Sequence, residues 1–262
     1  MAELLKGKRG LITGIANNRS IAYGIAKAMR AEGAELAFAA QLDIFGAKVK
    51  PIAEEMGVSI VADYSATDDD ISKACFETLE KEWGTIDFCV HAIAYSDKSE
   101  LTGAFTNTTR ANFKNSLDIS AYSLIDMARN AAPLMINGGS IMALTFQGSR
   151  RATPWYNVMG VAKAALETTV LYLANDLGPQ GIRVNCISPG PMKTLSGAAI
   201  GGARKTFRYT QANSPLRKNA TLEAVGGAAV FLASDYSDCT TGETITVDGG
   251  YNILSMPQPD NL

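Results

Sequence analysis

The sequence has no large excess of charge of either sign. Its 262 residues include 24 Lys and Arg, 26 Asp and Glu and a single His, for a net charge of -2. Proteins that bind a phosphodiester backbone or an anionic membrane surface normally carry a basic patch, which appears as an excess of Lys and Arg over Asp and Glu. We therefore expect neither nucleic acid nor a membrane among the partners of this chain.

Long apolar runs and paired cysteines are also missing. No apolar segment approaches the roughly 18 residues that a membrane span needs, and the N-terminal MAELLKGKRG lacks the apolar core of a secretory signal. The cysteines form neither a close pair nor a metal-ligand spacing: Cys75, Cys89, Cys186 and Cys239. These absences predict a soluble, cytoplasmic protein with reduced thiols and no metal site.

Short, β-branched apolar segments alternate with longer segments of helical periodicity. The predicted strands lie at 10–13, 35–40, 58–62, 87–93, 140–144, 182–188 and 243–247. Helical periodicity begins at Ile21 and recurs over 70–83, 110–131, 156–177 and 222–233. This alternation is typical of a parallel sheet covered by helices on both faces. We predict an α/β fold, a doubly wound Rossmann-like sheet of seven parallel strands in a single domain over residues 1–262.

The usual dinucleotide loop, G-x-G-x-x-G, is absent after the first strand. The sequence there is GLITGIANNRSIAYGIAKAM, in which Gly14 precedes a polar loop, and Ser20 and Ile21 open a helix. A helix N-terminus offers unpaired N–H groups to an anion, and the Ser20 hydroxyl can add a further hydrogen bond. Alone, this loop is only a weak indication of a pyrophosphate site, because an ordinary strand-to-helix connection would look similar.

The segments after the second and third strands favour NADH. In such folds the end of the second strand carries the residue that reads the adenosine ribose, and Gln41 stands there with no Arg or Lys in the next few positions. A 2′-phosphate would lack a cationic partner, so NADPH is disfavoured. Asp63 and Tyr64 are placed to border the adenine, although a turn residue and a half-buried aromatic ring are an equally good interpretation.

Tyr156 and Lys163 stand seven residues apart in WYNVMGVAKAAL. On a helix this spacing is nearly two turns, so both side chains face one site and lie roughly 10 Å apart along the axis. An isolated helical lysine followed by alanines is usually a solvated surface group. Here the tyrosine on the same face, and small neighbours that let a cofactor approach closely, favour an active site.

Together with VHAIAYSDKSEL, GPQGIRVNCISPGPMKTL and TGETITVDGGYNI, these motifs make the chain resemble the short-chain dehydrogenase/reductase superfamily over essentially all of its length. Ordinary members carry Y-x3-K, a T-G-x-x-x-G-x-G loop and N-N-A-G after strand four. This chain has Y-x6-K, a longer G-x5-S loop and H-A-I-A. All three departures are typical of the bacterial NADH-dependent enoyl-acyl-carrier-protein reductases of fatty-acid synthesis.

The resemblance implies an activity and a division of roles. It implies reduction of the C2=C3 double bond of trans-2-enoyl thioesters on acyl carrier protein by hydride from NADH, the final reductive step of fatty-acid elongation. Tyr156 would stabilise the negative charge that develops on the thioester oxygen. Because a helical side chain leans toward the N-terminus, Tyr156 leans away from Lys163 and leaves its ammonium free to bind the nicotinamide ribose. The resemblance also implies a homotetramer, with Asp248, Gly249 and Gly250 at a subunit interface.

Further binding residues are implied by the resemblance and by their places after the strands. The cofactor-binding residues are Gly14, Ser20, Ile21, Gln41, Asp63, Tyr64, Ile93, Ala94, Lys163, Met192, Thr194 and Ser196. The substrate-binding residues are Ser96, Phe146 and Tyr156. The Gly- and Ala-rich segment at about 192–208 is predicted to be a lid over the substrate, although a surface loop without this role would have the same composition.

Two positions depart from the family pattern. Phe146 stands where the family usually has a second tyrosine, and Ala94 stands where glycine is typical.

Two other functions remain as alternatives. One is a carbonyl reductase or alcohol dehydrogenase of the same superfamily, which the Y-x6-K spacing disfavours, and the other is an NADH-binding regulator without catalysis. We interpret His91, the single histidine, as a hydrogen-bonded structural residue rather than a catalytic one.

Overall fold

A computed structural model describes residues 3–194 and 202–261 of the chain, and in them seven parallel strands form one sheet. The strands are β1 (Arg9–Thr13), β2 (Glu35–Ala40), β3 (Ile60–Asp63), β4 (Phe88–His91), β5 (Gly139–Leu144), β6 (Ile182–Pro189) and β7 (Thr244–Val247). Their order in the sheet is β3-β2-β1-β4-β5-β6-β7, and every neighbouring pair is parallel. The predicted doubly wound fold is confirmed, and no strand end is shifted by more than two residues.

Helices cover both faces of the sheet. They are α1 (Ile21–Ala31), α2 (Leu42–Met56), α3 (Asp69–Trp83), α4 (Arg110–Leu117), α5 (Ser123–Ala131), α6 (Val158–Leu177), α7 (Ala203–Asn213) and α8 (Leu222–Ala233). At the start of α3 the Asp68 carboxylate accepts the N–H groups of Asp70 and Ile71 and so caps the helix. Of the helices in the described ranges, none is long and apolar enough to cross a bilayer.

The single helix predicted over 110–131 was wrong. The chain there forms α4, a π-helical turn at Asp118–Tyr122 and then α5. Within the wider turn, the Ser120 hydroxyl donates a hydrogen bond to the carbonyl oxygen of Tyr95 at 3.2 Å and accepts one from its N–H at 3.0 Å. Apolar periodicity does not reveal one extra residue in a turn, so this break could not be predicted from the pattern of apolar residues.

Successive strand residues pack into two separate apolar layers. Leu11 and Ile141 pack with residues of α3, α5 and α6 on one face of the sheet. Ile12 and Met142, the next residues on the same strands, pack with residues of α1, α2 and α8 on the other. Burial of each such side chain contributes about 1.5–3 kcal/mol, so the two layers fix the sheet and the position of its edges.

The strand order reverses between β1 and β4, which are neighbours in the sheet but not in the chain. The Thr13 hydroxyl donates a hydrogen bond to the carbonyl oxygen of Val90 at 2.9 Å and accepts one from the N–H of Ala92 at 3.3 Å. These bonds tie the carboxyl ends of the two strands together. In open parallel sheets, ligands bind outside the carboxyl ends of the strands at such a reversal.

Candidate active site

Gly14 ends β1 and lets the chain turn tightly against the end of β4. Its φ is +83°, and a Cβ added at this position would lie 2.1 Å from the carbonyl oxygen of Ala92. Both the backbone conformation and the neighbouring strand therefore exclude a side chain here. The glycine is what allows the loop to begin directly at the strand-order reversal.

The loop after Gly14 is held by the hydroxyl of Ser20. Its Oγ accepts hydrogen bonds from the N–H groups of Ala16 and Asn17, each at 3.0 Å. The helix α1 begins at Ile21, so its first N–H groups have no carbonyl of a preceding turn to bind. A loop and helix start of this kind, at the carboxyl edge of the sheet, fit the pyrophosphate of a dinucleotide.

Gln41 directly follows β2, and Asp63 is the last residue of the neighbouring strand β3. The exposed Asp63 carboxylate accepts hydrogen bonds from the N–H groups of Leu42 at 2.9 Å and Tyr64 at 3.1 Å, and Gln41 is half-buried. The Tyr64 ring is not half-buried, as the sequence suggested, but lies in the core with 2% exposure. A nucleotide at this edge would therefore meet the side chains of Gln41 and Asp63 but only the backbone of Tyr64.

Lys163 brings a buried charge to the end of β5. The side chain is 5% exposed, and its ammonium donates a hydrogen bond to the carbonyl oxygen of Leu144, the last residue of β5, at 2.7 Å. Burial lowers the pKa of the ammonium to about 8, while Cys186 and Glu167 act in the opposite direction. An ammonium has three N–H donors, so two stay available after the bond to Leu144. Lys163 is therefore not a solvated surface group.

Tyr156 stands before α6 and not on it. The helix begins at Val158, and the residues on both sides of Tyr156 have positive φ, +64° at Trp155 and +43° at Asn157. The predicted helix start at 156, with Tyr156 and Lys163 on one helical face, was therefore wrong. Residues other than glycine rarely adopt positive φ, so nothing in the sequence indicated two of them here. The turn, and not the helical repeat, sets the separation between the phenol and the ammonium.

The Tyr156 ring lies in a small apolar cluster. It packs edge-on against Phe146, with ring centroids 4.9 Å apart, and beside Leu101 and Met159. Burial raises the pKa of the phenol, and the negative charge of Glu167 raises it further, so the hydroxyl keeps its proton at neutral pH. Among the described residues no hydrogen bond involves this hydroxyl, which leaves it available to a ligand.

The chain after β4 places three of the predicted binding residues at the same edge. Ile93 is half-buried against the core, and Ala94 is exposed. The Ser96 hydroxyl donates a hydrogen bond to Oδ1 of Asn112 at 3.3 Å and accepts one from its Nδ2 at 3.1 Å. Ser96 is thus tied to α4, and Asn112 is a buried partner that the sequence analysis missed.

His91 is buried at the end of β4. Its Nε2 lies 2.7 Å from the hydroxyl oxygen of Ser123. Burial lowers the pKa of the imidazole to about 3, and the positive charge of Lys163 acts in the same direction. A neutral, hydrogen-bonded ring agrees with a structural role.

The predicted lid is described only in part. Met192 and Thr194 follow β6 and are half-buried, and the N–H of Thr194 donates a hydrogen bond to the carbonyl oxygen of Met192 at 3.0 Å. Ser196 falls in 195–201, outside the described residues. Gly202 begins the next described stretch, and a Cβ added there would lie 2.3 Å from the ring of Trp155. The start of α7 therefore touches the turn that carries Tyr156.

The sequence analysis also missed Glu167, which lies one helical turn after Lys163. Its carboxylate accepts hydrogen bonds from Thr145, Ser149 and Arg150. An acid four residues after a lysine on one predicted helix was a possible signal. Its partners lie on another segment, however, and only the tertiary fold brings them to α6.

The chain is similar to known proteins over almost its whole length. A family model described as enoyl-(acyl carrier protein) reductase matches residues 14–252. A protein of Rhizobium meliloti (strain 1021), named enoyl-acyl-carrier-protein reductase (NADH) 2, is 51% identical over 262 residues, 100% of this chain and 98% of its own length. A protein of Rickettsia bellii (strain RML369-C), also named an NADH enoyl-acyl-carrier-protein reductase, is 49% identical over 96% of each chain.

A solved structure extends this similarity to three dimensions. The crystal structure of the enoyl-acyl-carrier-protein reductase of Anaplasma phagocytophilum, in complex with NAD, matches with a TM-score of 0.95 and 47% identity. The match covers 98% of this chain and 98% of the other. On these similarities, the chain belongs to the enoyl-acyl-carrier-protein reductase family.

Proposed function

We propose that this chain uses NADH to reduce the C2=C3 double bond of trans-2-enoyl thioesters on acyl carrier protein, the final reductive step of fatty-acid elongation. Relatives that are 51% and 49% identical over nearly the whole chain are named for this activity with NADH. In this chain, the observation that carries the proposal is that the Lys163 ammonium and the Tyr156 phenol occupy separate positions. The Lys163 ammonium lies at the end of β5, whereas the Tyr156 phenol lies in the turn before α6 with its hydroxyl free.

The dinucleotide would be held by groups along the carboxyl edge. The start of α1 and the loop before it would bind the pyrophosphate, and Gln41 and Asp63 would border the adenosine. Lys163 would give its two remaining N–H donors to the nicotinamide ribose, as a charged and therefore strong donor. Bound NADH supplies the hydride that adds to C3 of the substrate.

Tyr156 would stabilise the charge that this addition creates. As C3 gains its hydrogen, the electrons of the C2=C3 bond move toward the thioester carbonyl, whose oxygen becomes negative before C2 takes up a proton. A preorganised phenolic donor to that oxygen contributes on the order of 3 kcal/mol, about a hundredfold in rate. The raised pKa of Tyr156 supports this role, because the donor has to keep its proton.

The absorbance of NADH in the near ultraviolet tests the proposal. We expect NADH to be consumed with a crotonyl thioester and not with a ketone. Consumption with a ketone alone would instead indicate a carbonyl reductase or alcohol dehydrogenase. Binding of NADH without consumption of either substrate would indicate a regulator.

The carrier, the lid and the location are further parts of the proposal. The Lys193 ammonium lies 4.8 Å from the centre of the Phe207 ring, a contact that joins the two described parts of the segment at 192–208 and supports a lid. All four cysteines are free thiols, which suits the reducing cytoplasm. Rates on thioesters of increasing chain length, each on carrier protein and on coenzyme A, would test the carrier and the lid together.

We also propose a homotetramer. A groove of about 770 Å³ with mainly apolar walls runs along α4 and the π-helical turn, and Phe113 and Tyr122 in its wall are 37% and 39% exposed. Exposed aromatic rings around a groove are typical of a surface that another protein covers. The residues implied for the subunit interface, 248–250, form a tight turn in which the Asp248 carboxylate accepts the N–H groups of Gly250 and Asn252. Sedimentation velocity should give a species of four times the 27.8 kDa chain mass, and a monomer would contradict this.

A further inference from the structure

Glu167 is a carboxylate that the roles proposed for Tyr156 and Lys163 do not use. It lies on α6 with its side chain only 14% exposed. A carboxylate largely removed from water has to be compensated by hydrogen bonds, or it would lose its charge. The donors that compensate Glu167 show which parts of the molecule it holds.

One carboxylate oxygen joins two separate points of the segment 145–150. Oε1 accepts a hydrogen bond from the Thr145 hydroxyl at 2.7 Å and another from the Ser149 hydroxyl at 2.6 Å. The other oxygen, Oε2, accepts a hydrogen bond from Nε of Arg150 at 2.9 Å. Hydrogen bonds to an ionised acceptor are shorter and stronger than neutral ones. The segment is therefore fastened to α6 at both of its ends.

The first point, Thr145, directly follows the carbonyl that holds Lys163. The carbonyl oxygen of Leu144 accepts the hydrogen bond from the Lys163 ammonium at 2.7 Å. The N–H of Thr145 donates to the carbonyl oxygen of Ile187 at 2.9 Å, which fixes the backbone on the side of β6. Glu167 fixes the side chain of the same residue from α6. Together these bonds set where the ammonium stands.

The second point, Ser149, belongs to a turn that lies directly behind the Tyr156 ring. A Cβ added at Gly148 would lie 2.4 Å from Cδ1 of that ring. A Cβ added at Gly160 on α6 would lie 2.7 Å from the carbonyl oxygen of Gly148. The backbone of Gly148 therefore packs directly against the ring and against α6, so a shift of the turn would move the phenol.

We propose that Glu167 is a positioning residue: its carboxylate fixes the backbone that holds Lys163 and the turn that supports Tyr156, and so keeps the two groups in their separate places. The proposal rests on the function proposed above and adds a residue that acts through its neighbours. The charge of Glu167 also raises the pKa of both groups, which keeps each protonated. The other charged or titratable groups that face it are Arg150 and Cys186.

Two substitutions at one position test the proposal. Glu167→Leu removes the acceptor at similar size, and we expect kcat with a crotonyl thioester to fall roughly tenfold to a hundredfold, with a much smaller change in KM. Glu167→Gln keeps an oxygen for Thr145 and Ser149 but loses the negative charge and the ion pair with Arg150, whose side chain is largely exposed, so kcat should stay within about threefold. Asp176→Asn, at an exposed acid on the same helix, is the matched control and should leave kcat unchanged.

Hydrogen–deuterium exchange gives a readout that needs no substrate. Amides of 144–151 should exchange faster in Glu167→Leu than in the unaltered protein, and at the unaltered rate in Glu167→Gln and Asp176→Asn. In a titration with NADH, the pH at which affinity declines should move lower in Glu167→Gln, because the lysine loses a neighbouring negative charge. Equal losses of kcat in the Leu and Gln variants, or kcat and exchange within about twofold of the unaltered protein in Glu167→Leu, would overturn the proposal.

The proposed function and the positioning role fail in different ways. If the function is wrong, the unaltered protein consumes no NADH with the thioester, while exchange and NADH binding still compare the variants. If Glu167→Leu does not fold, Ser149→Ala removes one of the two donors to Oε1 and should raise exchange at 147–150 and lower kcat. No change in either quantity would contradict the positioning role.

Discussion

The two sides of the candidate active site are built in different ways. At the ends of β1 to β3, the dinucleotide side, the structure relies on backbone conformation and small polar side chains, as at Gly14 and Ser20. At the ends of β4 to β6 and the start of α6, the reaction side, titratable side chains are buried, as at His91, Tyr156 and Lys163. Shape for a dinucleotide can come from local backbone geometry. Charges held out of water need surroundings that only the tertiary fold supplies.

The largest effect that could break this comparison lies within the reaction side. Tyr156→Phe should lower turnover about a hundredfold and leave NADH affinity nearly unchanged, because it removes only the donor to the developing charge. Lys163→Ala should chiefly weaken NADH binding. Steady-state kinetics and fluorescence titration with NADH measure the two effects. The opposite pattern would refute the division of roles between phenol and ammonium.

A substitution on the dinucleotide side should act on stability instead. Gly14→Ala combines a positive φ with a close approach to the carbonyl of Ala92, and we expect it to lower the free energy of unfolding by about 3 kcal/mol. Gly227 on α8 has no atom within 4 Å of an added Cβ, so Gly227→Ala is the matched control. It should change stability by less than about 1 kcal/mol, toward greater stability. Urea unfolding curves would reveal a similar loss in both variants, if this explanation were wrong.

Burial on the reaction side should make stability depend on pH through His91. Its pKa is lowered from 6.5 to about 3 in the folded protein. Below pH 6.5 the unfolded chain binds a proton that the folded chain does not, so this contribution is complete above pH 6.5 and declines as pH falls toward 3. Between about pH 7 and pH 5 the loss should be roughly 2 kcal/mol.

Urea unfolding at the two pH values checks this expectation for His91. The His91→Gln variant lacks the titrating ring and should lose less stability over the same interval, whatever its stability at neutral pH. An identical decline in the variant and the unaltered protein would show that other groups cause the acid sensitivity.

The smallest predicted effect concerns Phe146. The family usually has a tyrosine here, but in this chain the Phe146 ring already packs against Tyr156 at 4.9 Å. A second hydroxyl near the thioester adds a neutral hydrogen bond of about 1 kcal/mol net, so Phe146→Tyr should change turnover of a crotonyl thioester by less than about tenfold. A much larger gain would mark this chain as specialised for another substrate.

What the sequence predicted follows the same division. The seven-stranded sheet and the loop at Gly14 and Ser20 depend on local patterns, and the structure confirms the first and places the second at the strand-order reversal. The helix start at 156 was wrong because two residues with positive φ, Trp155 and Asn157, have no sequence signature of their own. Glu167 was missed because its hydroxyl partners lie in a different segment. Features that depend on local sequence can be predicted from one chain. The hydrogen-bond partners of a buried charge cannot, because distant segments supply them.

Contact between Trp155 and Gly202 gives the molecule a built-in optical reporter. The chain has 2 tryptophans, and the other, Trp83, ends α3 with the Arg9 guanidinium 5.9 Å from its ring centre. Trp155 alone sits where the residue next to the phenol meets the beginning of α7. The fluorescence emission of Trp155 in unlabelled protein should therefore change when the start of α7 moves relative to the turn that carries Tyr156. The emission of Trp83 should stay constant.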